Sequence, residues 1–346
     1  MRKLYVLLTV VLVLAAAIPV LAPTANAQEK KFRVAVVMPS TKNDLAFSQS
    51  MYDALAAIQE DRGADAFEFA YSENMFVVED AATAIRDYAT QGYDLIIAHG
   101  SQYGSSLPDI VPDFPKTSFA WGTTVDTFQD QGIDNVYAYE ARSEQGGFVN
   151  GVMAALLTKT KVIGVIGPIE TGDAKLYVDG FKAGVAYKDP DIKVLVNYIQ
   201  SFSDVAAAAA AAEAMLAEDA DILTGTAQMV PGAVNKAKEA GALWFGTQSD
   251  QTSLAPDIVV ASQVYDWTVA LNPMIDQILE GKLGGEAYSL TLENEGLKIA
   301  FNPDFKLPEE VQTEAQNVID AIVKGDISFE VQEDGTLVVN QAEKKQ

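Results

Sequence analysis

Two kinds of segment alternate along this chain. Short apolar runs rich in β-branched residues are each followed by polar turn residues, and then by a stretch whose apolar positions repeat every three or four residues. Residues 34–38 (VAVVM) form the first run, too short to span a membrane and apolar on both faces, as strands inside a parallel sheet are. Pro39-Ser40-Thr41-Lys42-Asn43-Asp44 is turn chemistry, and Met51, Leu55 and Ile58 then mark one face of a helix. Further strands are expected over 66–71, 94–99, 117–121 and 136–140, with a helix over 78–91. This βαβαβ order predicts a parallel sheet with right-handed crossovers.

A second series follows without a Pro/Gly/Ser-rich linker. Helices are expected over 145–157, 175–187, 204–217 and 230–240, and strands over 161–166, 193–198, 221–224 and 243–245. Ser203 or Asp204 supplies an N-cap, and the alanine run 206–212 reads as a closely packed helix because alanine is the best helix former. Strands over 258–263 and 288–292 and helices over 267–279 and 308–323 complete the pattern. The fold class predicted is α/β: two doubly wound parallel-sheet lobes joined by a hinge, with a ligand cleft between them. Lobe 1 is expected over 31–122 and about 265–285, and lobe 2 over about 140–247. Residues 286–328 are expected as C-terminal strands and a helix packed on the lobes, and 329–346 as a polar tail with one alternating run, 336–339. Crossovers between lobes are expected near 122–142, 246–265 and 279–288.

The amino terminus stands apart. Arg2 and Lys3 precede an apolar stretch over 4–21 broken by Thr9 and Pro19, and Ala25-Asn26-Ala27 is a small-x-small cleavage site ahead of Gln28. This predicts a signal peptide over 1–27, and an exported, periplasmic or cell-surface protein that is soluble after cleavage. An uncleaved anchor is the alternative. Roughly 320 residues remain, room for two ordinary cores. Cysteine is absent, which excludes disulfides, thiolate metal sites, a cysteine nucleophile and the acylated cysteine of a lipoprotein. His99 is the single histidine, and the formal charge of −24 repels nucleic acid and anionic lipid.

No Gly-x-Gly-x-x-Gly follows the first strand, and no P-loop or Gly-x-Ser-x-Gly motif occurs. Gly100-Ser101-Gln102-Tyr103-Gly104 has the glycines without the central serine, and His99 reads as a strand-end residue before a catalytic base. The strand ends carry aromatics and mainly uncharged hydrogen-bonding groups instead. Asp44, Phe47 and Gln49 follow the first strand, Ser101, Gln102 and Tyr103 the third, and Trp121 and Thr123 the fourth. Gln228 and Met229, then Gln248, Ser249 and Asp250, then Gln263, Tyr265, Asp266 and Trp267 hold equivalent ends in the second series. Singly, each reads as a helix cap or a core aromatic, and Asp250 as a turn cap. Their recurrence describes a site for a small, flat, polar ligand. The ligand-binding candidates are Asp44, Phe47, Gln49, Tyr103, Trp121, Gln228, Gln248, Asp250, Tyr265 and Trp267. Phe47 and Trp121 are expected to face a heterocycle and Asp250 to accept a hydrogen bond from it. No catalytic residue, metal or cofactor is expected.

Asn43-Asp44-Leu45-Ala46-Phe47-Ser48-Gln49-Ser50 resembles the Asp-x-Ser-Phe-Asn-Gln signature of the BMP/PnrA-like family, type I periplasmic binding proteins of ABC importers for purine nucleosides and related compounds. Similar too are Gly92-Tyr93-Asp94-Leu95-Ile96-Ile97, Glu144-Gln145-Gly146-Gly147-Phe148 with Gly151, Gly164-Val165-Ile166-Gly167 and Gly180-Phe181-Lys182-Ala183-Gly184. Asp189-Pro190-Asp191-Ile192 with Val194, Ser201-Phe202-Ser203-Asp204, and Gly246 through Ser249-Asp250-Gln251 extend the match over most of the chain. The resemblance implies a non-enzymatic, monomeric solute-binding protein that closes on a purine base or nucleoside and delivers it to a permease. An exported nucleoside hydrolase and a ligand-sensing receptor of the same fold are the alternatives. Departures bear on the ligand. The nucleoside binders' Asp after the fourth strand is replaced around Trp121-Gly122-Thr123, the first Asp of their Gly-Val-Asp-Ser-Asp-Gln is Gln248, and their next lysine falls near Tyr265. Loss of an acid and a lysine with gain of aromatics suits a free base better than a nucleoside.

Overall fold

Apolar runs flanked by turn residues do form strands, and their alternating side chains supply two cores per sheet. The computed structural model describes residues 30–342; the signal peptide and cleavage site expected at 1–27 lie outside them. The first series is β1 (Phe32–Val37), α1 (Phe47–Arg62), β2 (Phe67–Ser72), α2 (Val78–Thr90), β3 (Leu95–His99), α3 (Leu107–Ile110), β4 (Ser118–Gly122) and β5 (Val136–Ala141). The second is α4 (Ser143–Leu157), β6 (Val162–Gly167), α5 (Gly172–Lys188), β7 (Lys193–Tyr198), α6 (Val205–Ala217), β8 (Ile222–Gly225), α7 (Val230–Ala240), β9 (Leu243–Gln248) and β10 (Val259–Tyr265). Then come α8 (Thr268–Leu279), β11 (Ala287–Leu290), β12 (Leu297–Phe301), α9 (Glu309–Val323), β13 (Ile327–Val331) and β14 (Leu337–Gln341).

One sheet has the order β11-β5-β4-β3-β1-β2 and the other β12-β10-β9-β8-β6-β7. All pairings in the two are parallel except β10 with β12. The protein is thus an α/β fold of two doubly wound, parallel-dominated sheets. Leaving out the last strand of each, both run in the same order, with the chain reversing direction between β1 and β3 in one and between β6 and β8 in the other. Those reversals open crevices at the carboxyl ends of the strands, where ligands of open α/β sheets bind.

Period-two alternation decides which residues enter which core. Val34, Val36 and Ile97 point to the side covered by α1 and α8, while Ala35, Val37 and Ile96 point to the side covered by α2 and α3. In the second sheet Ile163, Val165 and Phe245 face α4 and α5, and Leu223, Trp244 and Val259 face α6 and α7. The α1/α8 core and the α4/α5 core are one continuous cluster, joined through Tyr139, Tyr265 and Trp267. Asp204 caps α6, its side chain accepting from the Ala207 N–H at 2.9 Å. Residues 327–341 within the polar C-terminal stretch form a hairpin, β13 with β14, and Phe329 packs edge-on to Phe148.

Helices α4 and α5 approach along a seam of glycines. A Cβ on Gly151 would stand 2.2 Å from the Phe181 carbonyl oxygen, and one on Gly184 2.1 Å from that of Phe148. Both neighbours are main chain and cannot swing aside. Gly184→Val is therefore expected to cost at least about 1–3 kcal/mol, the range of overpacked interiors. The check is the urea midpoint at unchanged m-value; a wild-type midpoint would show that the seam tolerates a side chain.

Candidate functional site

The carboxyl ends of the two sheets face each other across a cavity with an empty volume of about 380 Å³, open solvent included. Each strand end contributes through its following loop. From the first half come Pro39 and Phe47, Phe76, then Gly100, Ser101 and Gln102, and Thr123. From the second come Asp173 and Ala174, Phe202, Ala227 and Gln228, and Gln248. Phe76 and Phe202 hold equivalent places after β2 and β7, and their ring centroids meet at 6.5 Å across the gap. The halves also touch through hydrogen bonds: Ser249 Oγ donates to the Ala46 carbonyl at 2.8 Å and Gln251 Nε2 to the Leu45 carbonyl at 3.2 Å.

Among the described residues Asp173 is the one carboxylate on this wall. It sits in the first turn of α5, buried, and its Oδ2 accepts from the Tyr265 hydroxyl at 2.9 Å and from Gln248 Nε2 at 3.5 Å. Burial raises its pKa above the ordinary carboxylate value, while these donors pull the other way. Gln248 is held from both ends, since its Oε1 accepts from the Ala227 N–H at 3.3 Å. Gln228 differs: its Oε1 is buried and accepts no hydrogen bond within the protein. Leu45, Ala227 and Gln248 carry φ of 53°, 74° and 70°. Left-handed backbone at non-glycine residues is costly; Ala227 and Gln248 adopt it on the cavity and Leu45 beside it, while others such as Asn74, Lys161 and Glu295 adopt it elsewhere.

Behind the wall lies an aromatic layer. Phe47 stacks on His99 with centroids 3.8 Å apart, and Trp267 stands edge-on to Phe47, His99, Tyr139 and Tyr265. Burial lowers the His99 pKa to about 3, so the ring is neutral. Its Nε2 lies 3.0 Å from the Phe47 carbonyl and its Nδ1 2.8 Å from the Tyr139 hydroxyl. A carbonyl can only accept, so Nε2 carries the proton and Nδ1 accepts from Tyr139.

Of the ten expected site residues, the structure places Phe47, Gln228 and Gln248 on the cavity. Tyr265 reaches it through Asp173, and Trp267 is fully buried one layer back, donating from Nε1 to Ser50 Oγ. The other five are engaged elsewhere. Asp44 ties the entry of α1, accepting from the Ala46, Ser48 and Gln49 N–H groups, and Gln49 Oε1 accepts from the Leu45 N–H. Tyr103 is buried, with its hydroxyl donating to the Met75 carbonyl. Trp121 stacks on Phe128 at 4.9 Å, and exposed Asp250 accepts from the Thr252 N–H as a turn cap. The cavity residues that sequence reasoning passed over as a wall include Pro39, Phe76, Asp173 and Phe202. Phe202 lay inside a quoted motif, and Asp173 stood just ahead of where a helix was expected to start.

Two mirrored α/β halves closing on an aromatic-lined cavity define a cleft-type small-molecule-binding protein. The family described as ABC transporter substrate-binding protein PnrA-like (Bmp) matches residues 31–334, and the chain belongs to that family. It is 30% identical over 259 residues to the transcriptional activator protein med of Bacillus subtilis (strain 168), covering 74% of this chain and 78% of that protein. It is 26% identical over 300 residues to a purine-binding protein of Brucella abortus (strain 2308), covering 87% and 83% respectively. Among solved structures, an ABC transporter solute-binding protein from Aeropyrum pernix K1 superposes with a TM-score of 0.73 at 20% identity, covering 88% of this chain and 94% of that one.

Proposed function

We propose that this is the exported solute-binding protein of an ABC importer, which takes a purine base or nucleoside between its two lobes and delivers it to a membrane permease. The observation that carries the reading is the composition of the wall. Phe47, Phe76 and Phe202 offer flat apolar faces, Gln102, Gln228 and Gln248 offer amides, and among the described residues no Lys or Arg lines the cavity. Rings plus a few fixed polar groups suit a flat, uncharged, nitrogen-rich heterocycle. The purine-binding relative supports the ligand class. No helix among the described residues is long and apolar enough to cross a membrane. The meeting of the two halves through Phe76–Phe202 and the Ser249 and Gln251 hydrogen bonds supports closure as the mechanism; a ligand that touches both lobes favours the closed form. The relative named as a transcriptional activator favours a second reading, in which the same closure reports the ligand to a partner instead of transporting it.

Calorimetric titration with adenine, adenosine, ribose and a branched-chain amino acid tests the ligand. Base or nucleoside should bind and be recovered chemically unchanged; tight binding of ribose or the amino acid alone would sink the purine reading. Phe202→Ala should weaken the purine by roughly tenfold to a hundredfold, since stacking on an aromatic ring is worth about 1–3 kcal/mol per base. Wild-type affinity in that variant would take Phe202 out of the site.

A further inference from the structure

We infer that Asp173 and Gln228 form an acceptor wall that selects purine bases bearing an exocyclic amino group over their oxo counterparts, an inference that rests on the purine reading above. Both residues line the cavity. The Tyr265 hydroxyl and the Gln248 amide donate to Asp173 Oδ2, and the Thr123 side chain and the Ala174 N–H donate to the same carboxylate. These donors favour the carboxylate's ionised form, against the burial that raises its pKa. Among the described residues no basic side chain lines the cavity, so its field acts on whatever enters. Gln228 adds a buried carbonyl oxygen that accepts nothing from the protein. A buried acceptor left unpaired costs free energy that a ligand N–H recovers.

The chemistry of the ligand edge follows. An amino group presents two N–H donors on one atom, one for each acceptor. A carbonyl oxygen in the same place meets an anion and a second carbonyl oxygen, so it is repelled and leaves Gln228 unpaired. Buried polar groups that lose their partner discriminate far more strongly than a change of apolar contact does.

The test titrates the purified protein with two matched pairs, adenine against hypoxanthine and guanine against xanthine, each differing by amino for oxo. The amino member is expected to bind at least tenfold tighter in at least one pair. Asp173→Asn removes the charge at nearly constant shape, and should bring that ratio towards one. Gln228→Leu, which leaves the Asp173–Tyr265–Gln248 cluster intact, should weaken the amino member more than the oxo member. Equal affinity within both pairs would overturn the inference while leaving the purine reading standing, and so would variants that weaken both members alike, the signature of a purely structural role. Failure of all four bases, and of adenosine and guanosine, to bind would overturn the purine reading itself and this inference with it, whereas binding of the nucleosides alone would overturn only the inference.

Discussion

Trp267→Ala is expected to lower stability by about 3–5 kcal/mol, the cost of emptying a large buried aromatic site. Trp267 is fully buried and edge-on to four rings, with centroids at 6.2 Å for Phe47, 5.7 Å for His99, 5.1 Å for Tyr139 and 5.4 Å for Tyr265. Its Nε1 also donates to Ser50 Oγ at 2.9 Å. These partners come from α1, β3, β5 and β10, so truncation opens the junction between the two halves, where no single element can collapse inward. Trp267→Phe keeps most of the volume and loses the N–H, and should cost nearer 1 kcal/mol. Urea denaturation at neutral pH measures both. A loss below about 1 kcal/mol for the alanine variant would mean that the junction repacks freely.

Acid should destabilise the protein through His99. The folded state holds this ring near a pKa of about 3 against an ordinary value of 6.5. Between those values the unfolded chain binds a proton that the native state refuses. Stability therefore rises with pH in that window: it is fully present above about 6.5 and is lost as pH falls towards 3. Below both values the cost approaches about 4–5 kcal/mol, and at pH 4.5 roughly half of it is already present. His99→Gln, which keeps a donor and an acceptor but cannot titrate, should lack this part of the profile. Equal slopes for both proteins between pH 7 and 4 would show that His99 is protonated without penalty. Phe47 stacks directly on the ring, so the same protonation disturbs one face of the cavity.

The sheets were legible because buried parallel strands announce themselves as unbroken apolar runs. Residues 94–99 and 161–166 have no other use in a chain with turn residues on either side, and they appear as β3 and β6 within a residue. Strands on the margin were harder. Strands were expected within 286–328 but only 288–292 was given bounds, whereas Leu297–Phe301 pairs antiparallel with β10; its pattern has one charge and half-buried side chains, as an edge allows. The site was legible as a set of strand ends, and less so residue by residue. Sequence cannot tell a polar group aimed into a cleft from one turned back onto its own backbone. Asp44 and Asp250 satisfy local N–H groups, which is what short acidic side chains do at turns. Asp173 drew no notice just ahead of the helix expected from 175, and only the approach of Tyr265 and Gln248 from distant strands marks it. Trp121 was expected to face a ligand; its ring is taken up by Phe128, seven positions on, whose left-handed backbone no local pattern signals.

Each sheet is finished by a strand from the far end of the chain: β11 lies beside β5, with Ala287 opposite Ala138, and β12 lies beside β10. This imposes an order of events during synthesis. A nascent chain that has emerged only as far as Leu279 holds two sheets whose last edges are bare, and bare edges are templates for pairing with other chains. Neither half can close as an early, self-sufficient folding unit, although the first is translated long before the second. The β5–β11 pairing, which spans the whole second series of elements, is also slow to form. The two halves therefore reach completion together, late, when the short segment that carries β11 and β12 arrives.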